Sequence, residues 1–255
     1  MLLNKTLVIA RSEFSRLFNS PLAWSVLAIL QFILALLFLM FIEEFIGVVQ
    51  PLTATMSNPP GVTKIIVSPL YLWAGIIMLA VIPIMTMRVF AEERMNKTLT
   101  LLLSSPLSSS QIVLGKFLAL ILFILLIVLM ITVMPLALTL GTALDWGMVF
   151  TSALGLFLLL SSFAAAGIYL SSLTSQPIIA AVSSFGFLLF LVVLYLSGSS
   201  QSNNSEAFIY LSHFSHFLPF LEGTFDTSDI VYYLLFIISF LVLTIHKLNN
   251  DRLLG

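Results

Sequence analysis

The sequence predicts an all-α polytopic membrane protein, and its composition and the spacing of its apolar segments carry that prediction. Of its 255 residues, 60% are hydrophobic and only 8% are charged, whereas about a quarter of the residues in an ordinary soluble domain are charged. A chain with so few charges cannot cover its own surface with polar groups, so lipid must solvate most of it. The lack of cysteine excludes disulfides, zinc–thiolate sites and iron–sulfur clusters.

Six apolar segments are long enough, or nearly so, to cross the bilayer. A helix needs roughly 20 mostly apolar residues to cross about 30 Å of hydrocarbon. None of the segments contains Asp, Glu, Lys or Arg, which are costly at membrane depth. The predicted spans are 21–42, 69–87, 117–140, 147–170, 177–197 and 230–246.

Residues 1–20 are predicted to form a separate amphipathic helix at the membrane interface. Polar residues such as Lys5 and Arg11 lie largely on one helical face. An apolar face opposite a charged one is typical of helices that lie in the headgroup region. The apolar face comprises Leu3, Leu7, Ala10, Phe14, Leu17 and Phe18.

The basic residues predict the orientation. If the N-terminus is cytoplasmic, all ten Lys and Arg except Lys64 fall on the cytoplasmic side. The opposite topology reverses that distribution, so the positive-inside rule favours cytoplasmic N- and C-termini in a bacterial inner membrane. Trp24, Trp73 and Trp146 also fall at predicted span ends, where indole rings prefer to lie.

Between the fifth and sixth spans lies an apolar, aromatic segment, 206–221, that is too short to cross the bilayer upright. It is predicted to be a re-entrant or interfacial helix pair, broken near Pro219. Its His213 and His216, with Glu222 and Asp226 nearby, form the one pattern that resembles a metal site. Two histidines without a fixed third ligand are a weak signal, so the favoured interpretation is histidine at the water boundary and no metal.

No catalytic motif stands out. The P-loop, HExxH and GxSxG patterns are absent, and no carboxylate pair lies within a predicted span. Proton-coupled carriers generally place Asp, Glu or His within their spans, so charge-free spans disfavour that class as well. The prediction is therefore a chain without catalytic residues, cofactor or metal of its own, and without a basic tract for nucleic acid.

The loop between the second and third spans carries the most informative pattern. Charges cluster at its start, an apolar patch at 99–103 follows, and Ser104-Ser105-Pro106 ends the predicted helix. Ser108–Ser110 then provides an N-cap for the third span. A short amphipathic helix over about 91–107 either rests on the membrane as a connector or presents a face to a soluble partner.

Several of these residues resemble the signature of ABC-2 type transporter permeases. The matching run is Glu92-Glu93-Arg94, Thr98, Leu101-Leu102, Ser105-Pro106-Leu107 and Gly115-Lys116. Residues 10–23 and 216–233 are similar to the gliding-motility branch of that family, and the resemblance covers the whole chain. The sequence departs from the pattern at Asn96-Lys97-Thr98, where many relatives have Gly-Thr or Gly-Ser, and in lacking basic residues soon after Gly223.

The resemblance implies a permease subunit that pairs with a second permease subunit and docks a cytoplasmic ABC ATPase, which binds ATP and Mg. It also implies an exporter or a force-transmitting complex, and some members of the branch work with a large extracytoplasmic accessory subunit. An ion-coupled secondary carrier and a non-transporting anchor or scaffold remain alternatives. The implied ATPase-coupling residues are Glu92, Glu93, Arg94, Thr98, Leu99, Leu102, Leu103 and Pro106.

Two hypotheses remain for the apolar residues of this set, and two for its glutamates. The face of Leu99, Leu102 and Leu103 either rests on lipid or enters a groove on the ATPase. Glu92 and Glu93 either stabilise a helix N-terminus through its dipole or pair with a basic residue of the partner.

The predicted topology can be tested with single cysteines, because the chain has none of its own. Cysteines placed at Ser57 and Asn203 should react with an impermeant thiol reagent added to intact cells. A cysteine at Ser104 should react only after the cells are opened. Labelling of Ser104 from outside would reverse the predicted orientation.

Overall fold

A computed structural model describes residues 2–53, 61–198 and 210–254, and the fold within these ranges consists of helices joined by turns and short loops. Six helices in those ranges are long and apolar enough to cross a membrane, which confirms the predicted fold class. The test positions Ser57 and Asn203 and residues 206–209 of the predicted re-entrant segment lie outside the described residues. The helices are α1 Leu2–Asn19, α2 Pro21–Glu44, α3 Ser68–Thr86, α4 Ala91–Met95, α5 Leu99–Ser104, α6 Ser109–Leu136, α7 Trp146–Leu173, α8 Pro177–Gly198, α9 His213–Leu221 and α10 Thr227–Leu254.

Several helices continue past the apolar segments that predict them. A π-helical turn, Phe45–Val49, and the short helix Gln50–Thr53 extend α2, while the π-helical turn Thr63–Val67 leads into α3 and Ala137–Leu140 extends α6 as a 3-10 turn. Hydropathy marks the part of a helix that lies in lipid, whereas hydrogen bonding and capping decide where the helix ends.

The start of α6 shows why this difference matters. The Ser108 hydroxyl accepts a hydrogen bond from the backbone N–H of Gln111, and the Gln111 side chain accepts one from the backbone N–H of Ser108. This capping box starts the helix at Ser109, so the predicted N-cap is confirmed. Lys116, just outside the predicted third span, therefore lies within a helix and projects from the start of its third turn.

Helix α7 lies at the centre of the bundle. It contacts α3, α6, α8, α9 and α10, and 72% of its most apolar stretch is buried, against at most 50% for the other membrane-length helices of the described chain. Its small residues at 161–167 are buried within this chain. Small side chains allow such close packing, because membrane helices gain stability from van der Waals contact between backbones.

Helix α1 packs along the start of α6. A Cβ atom at Gly115 would lie 2.7 Å from the Ile9 side chain and 3.2 Å from the Thr6 carbonyl, so glycine is required for this approach. Ala10 is buried, while Leu7 and Val8 remain exposed. The amphipathic helix is therefore part of the folded bundle, and its location at the membrane surface stays a prediction.

Helix α9 lies at the end of the bundle opposite to the two chain termini, which we call the distal end; the other is the terminal end. The predicted break near Pro219 is wrong, because α9 is helical through Pro219. The break falls instead at Ser212, whose hydroxyl accepts a hydrogen bond from the backbone N–H of Phe214 and caps a new helix. Phe217 and Phe220 are fully buried against other helices of the chain.

The packing of α9 on α7 gives a test of the fold. A Cβ atom at Gly155 would lie 2.5 Å from Cβ of Phe220, which is too close for any contact of carbon atoms. Gly155→Ala should therefore lower the free energy of unfolding by about 1–3 kcal/mol, since overpacking forces neighbouring side chains and backbone to move. Denaturation of the purified protein in detergent measures the change.

Gly186→Ala is the matched control, because nothing lies within 4 Å of a Cβ atom at that position. It should not destabilise the protein and should favour helix by up to about 1 kcal/mol. Equal stability of the two variants would contradict the close packing of α7 and α9.

Candidate functional site

The candidate site is the segment 90–107, which connects the second membrane-length helix to α6. It is not the single helix predicted over about 91–107. Helix α4 ends at Met95, and α5 begins at Leu99. Lys97 between them has a φ of 58°, in the left-handed region that a side chain disfavours. This backbone conformation ends α4 and turns the chain, and no residue type in 96–98 signals it.

A buried ammonium group fixes the start of the segment. The Lys116 side chain, only 2% exposed, places Nζ 2.6 Å from Oε1 of Glu93 and 2.7 Å from Oε1 of Glu13. Arg16 lies 3.6 Å from each of the two carboxylates, so two basic and two acidic groups balance one another. Burying a charge is costly unless it is paired and hydrogen-bonded. The cluster therefore ties α1, α4 and α6 together.

A serine hydroxyl of α7 holds the first turn of α4. Oγ of Ser171 accepts hydrogen bonds from the backbone N–H groups of Phe90 and Ala91 at 3.2 and 3.1 Å, and donates to the carbonyl of Met87 at 2.9 Å. The first N–H groups of a helix have no partner within it. Ser171 supplies that partner from another helix, because Phe90 at the N-cap cannot.

Arg94 joins α4 to the last turns of α10. Its Nη2 lies 2.5 Å from Oδ2 of Asp251 and donates to the carbonyl of Ser172 at 2.8 Å. Lys247 lies 3.0 Å from the other oxygen of Asp251, so one carboxylate serves two basic groups. A charge-assisted pair of this length that is partly shielded from solvent is stronger than an exposed one.

Arg252 closes the other end of the segment. Its guanidinium donates to the carbonyls of Leu103, Ser105 and Leu107, with distances from 2.5 to 3.1 Å. Lys5 of α1 donates to the carbonyl of Pro106 at 3.2 Å. The last carbonyls of a helix lack partners within it and carry partial negative charge. The two basic side chains satisfy carbonyls after α5 in the same way.

The family model of ABC-2 family transporter proteins matches residues 7–249 of the sequence. The chain belongs to the ABC-2 transporter family. Members of this family are membrane-spanning, non-catalytic permease subunits that associate with an ABC ATPase. Together with the six apolar helices, this makes the chain a multi-pass membrane protein. No curated protein matches the sequence significantly.

In this ABC-2 permease, two of the residues implied for ATPase coupling face inward. Leu99 and Leu103 are 5% and 8% exposed and belong to the hydrophobic core. Helix α5 turns the side chains of Leu99 and Leu103 toward the bundle, so neither lies on a surface of the chain that could enter a groove or rest on lipid. The coupling role of the whole set stays a prediction. Leu102 is half-buried, whereas Leu101 is 71% exposed and Met95 is 53% exposed.

The structure also assigns the acidic and polar residues of this set. Glu93 pairs with Lys116 and Arg16 of its own chain, so the hypothesis that it pairs with a partner's basic residue does not fit its position. The Thr98 hydroxyl donates to the carbonyl of Glu93, and the exposed Pro106 lends its carbonyl to Lys5. Glu92, in the first turn of α4, is half-buried.

The histidines that suggested a metal site serve another role. His216 Nδ1 lies 2.6 Å from Oδ1 of Asp229, and Nε2 lies 2.9 Å from the carbonyl of Tyr210. Burial, with His216 nearby, lowers the pKa of His213 to about 3, so its imidazole is neutral and hydrogen-bonds with the hydroxyl of Tyr232. Within the described ranges, no group of three or more His, Cys, Asp or Glu is arranged to hold a metal.

Removal of the buried ammonium tests the anchoring of segment 90–107. Lys116→Met should lower the free energy of unfolding by about 2–4 kcal/mol, since it leaves the partly buried carboxylates of Glu13 and Glu93 with only the more distant Arg16 as counter-charge. The control variant Arg11→Gln replaces an exposed side chain of the same helix and should change this free energy by less than about 0.5 kcal/mol.

Adding Glu13→Gln and Glu93→Gln to Lys116→Met should recover much of the loss, because the triple variant buries no unpaired charge. Thermal and denaturant unfolding in detergent measure all of these variants. A Lys116→Met protein as stable as Arg11→Gln would show that the cluster does not hold the segment.

Proposed function

We propose that this chain is the permease subunit of an ABC transporter and that the exposed face of segment 90–107 docks the ATPase. The observation that supports this most directly is how the segment is mounted. Charged and hydroxyl groups from α1, α6, α7 and α10 fasten it on its inner side. On its outer side, Met95 and Leu101 are exposed without packing partners in the core.

These contacts would allow segment 90–107 to transmit a displacement to the membrane helices. A displacement of α4 would act on α6 through Lys116 and Glu93, and on α10 through Arg94 and Asp251. Closely packed helices shift as rigid bodies between discrete arrangements and do not deform continuously. ATP-driven closure of the ATPase subunits would therefore move several membrane helices together and open one side of the membrane at a time.

The assembly and its location follow from the same proposal. Segment 90–107 faces the cytoplasm of a bacterial inner membrane, together with both termini, as the distribution of Lys and Arg favours. ATP and Mg bind in the partner ATPase, and a second permease subunit completes the transmembrane part. The work performed is export of a substrate or transmission of force, and the branch is the gliding-motility one, whose members include complexes with an extracytoplasmic accessory subunit.

The docking surface proposed here differs from the one that the sequence pattern favoured. A substitution at Glu93 would break the internal cluster with Lys116, so Glu93→Lys is expected to damage the fold itself. Leu101 avoids that ambiguity, because its side chain is 71% exposed and its replacement costs no core packing.

Leu101→Asp should leave expression and thermal stability unchanged but weaken binding of the ATPase at least about a hundredfold. A carboxylate buried at an apolar contact without a partner costs several kcal/mol, and about 1.4 kcal/mol is tenfold in affinity. Co-purification from detergent and titration of labelled permease with purified ATPase measure the effect.

Leu140→Asp is the matched control, because Leu140 is 94% exposed in the turn that ends the third membrane-length helix, at the distal end of the bundle. It should bind the ATPase as the unmodified chain does. Undiminished binding and ATP-dependent activity of the Leu101→Asp complex would overturn the proposed docking surface.

A further inference from the structure

Polar side chains at both ends of α10 contact other elements, and each end contacts a different one. At the terminal end, Asp251 and Arg252 hold segment 90–107. At the distal end, Asp229 holds His216 of α9. An acidic residue in the first turn and a basic one in the last turn also match the helix dipole.

The distal contact of Asp229 is a strong one for a defined chemical reason. His216 Nε2 lies 2.9 Å from the carbonyl of Tyr210, and a carbonyl can only accept, so Nε2 carries a proton. Nδ1 lies 2.6 Å from the Asp229 carboxyl group, a distance that requires one proton between the two atoms. Both partners are buried, where such a bond is hard to replace by water.

Three aromatic residues of α10 widen this distal contact. The Tyr233 hydroxyl donates to the carbonyl of His213 at 2.7 Å, and the Tyr232 hydroxyl donates to the carbonyl of Leu211 at 2.8 Å. The Phe236 ring meets the imidazole of His213 edge-on, with the ring centres 4.4 Å apart. Residues 229, 232, 233 and 236 share one face of a helix, so a single stripe of α10 holds 210–216.

Helix α10 also connects the two ends of the bundle without a residue that commonly kinks a helix. Among the six membrane-length helices of the described chain, its stretch Thr227–Leu253 alone contains neither Gly nor Pro. Sharp kinks in helices arise mainly at Pro, at Gly and at π-bulges, and this stretch of α10 contains none of these. From Asp229 to Asp251 it extends for ~33 Å, at about 1.5 Å per residue.

The stripe between the two anchors is continuous. Tyr233, Ile237, Leu241, Thr244 and Leu248 are buried at helical spacing, while the opposite face of α10 is exposed. Asp229 and Asp251 lie on this same face, since 22 residues turn a helix by nearly whole revolutions. The polar contacts at both ends of α10 therefore lie on the side of the helix that packs against α7.

We propose that α10 is a rigid strut that transmits movement of segment 90–107 to α9 at the distal end. Arg252 and Asp251 are positioning residues at one end of the strut, and Asp229, with His216, at the other. This inference rests on the proposed function, because the movement originates in the ATPase. The strut adds a second effect of nucleotide binding. The position of α9 would change with the nucleotide state of the ATPase, through α10 and the polar contacts at its two ends, which we call its anchors.

Spin labels at both ends of the strut test the proposal in the complex with the ATPase that co-purifies with the chain. Leu211→Cys reports on the residues that precede α9, and Ser104→Cys reports on segment 90–107; both positions are exposed. Because the chain has no cysteine, each label is unique. Spectra are compared without nucleotide and with MgATP, using an ATPase variant that binds but does not hydrolyse ATP.

In the otherwise unmodified complex, MgATP should change the spectra of both labels. Asp229→Ala should remove most of the response at 211 while the response at 104 and the amount of bound ATPase remain. Arg252→Gln should diminish the response at 211 less, because the pair of Asp251 and Arg94 still joins α10 to the segment. Asn250→Ala and Glu222→Gln, exposed neighbours of the two anchors, should leave both responses intact.

Two other results would overturn the strut, and they are distinguishable. A label at 211 that responds equally with and without the anchors, or that never responds while 104 does, would mean that α10 does not transmit the movement. No response at 104 in the unmodified complex would instead remove the proposed docking function, and the strut with it.

Discussion

The Lys116 ammonium group is buried, and most of the terminal end depends on how its charge is compensated. A lone ammonium in the low-dielectric interior would be unstable, so the fold brings Glu13 and Glu93 to within 2.7 Å of it. These carboxylates come from α1 and α4, which are far apart in sequence. The requirement to neutralise one charge thus sets where the N-terminal helix lies and where the segment after the second membrane-length helix begins.

Around that cluster, polar side chains connect the elements through hydrogen bonds and ion pairs, and apolar side chains fill the space between them. Ser171 and Arg252 hydrogen-bond backbone groups that the short helices α4 and α5 cannot satisfy by themselves, and Arg94 donates to the carbonyl of Ser172 at the end of α7. Helices of five and six residues such as α4 and α5 would not persist alone, since short helices are unstable in isolation. They exist because four other elements complete their hydrogen bonds, and that same support makes the segment suitable for receiving force from a soluble partner.

The six membrane helices could be predicted because lipid imposes a local rule: every span must be apolar over its own length. The site could be predicted only as a segment. Which leucines face inward depends on the turn at Lys97, and the partner of Glu93 depends on α1 and α6, so neither follows from spacing within the loop. Lys116 was the available signal, since a basic residue one position before a charge-free stretch calls for a nearby acid. The helix break at Ser212 likewise depended on a cap, which outweighed Pro219.

Lys97 connects two short helices whose supports differ in part: α4 is held by α6, α7 and Asp251 of α10, and α5 is held by Arg252 of α10. A glycine at this position would adopt a φ of 58° at little cost and would leave many neighbouring backbone conformations open. A lysine pays about 1 kcal/mol to stay there and has few neighbouring conformations open to it. The angle between α4 and α5 is accordingly fixed by the backbone at Lys97. A displacement of α4 would therefore rotate α5 with it, with little change in the angle between the two helices.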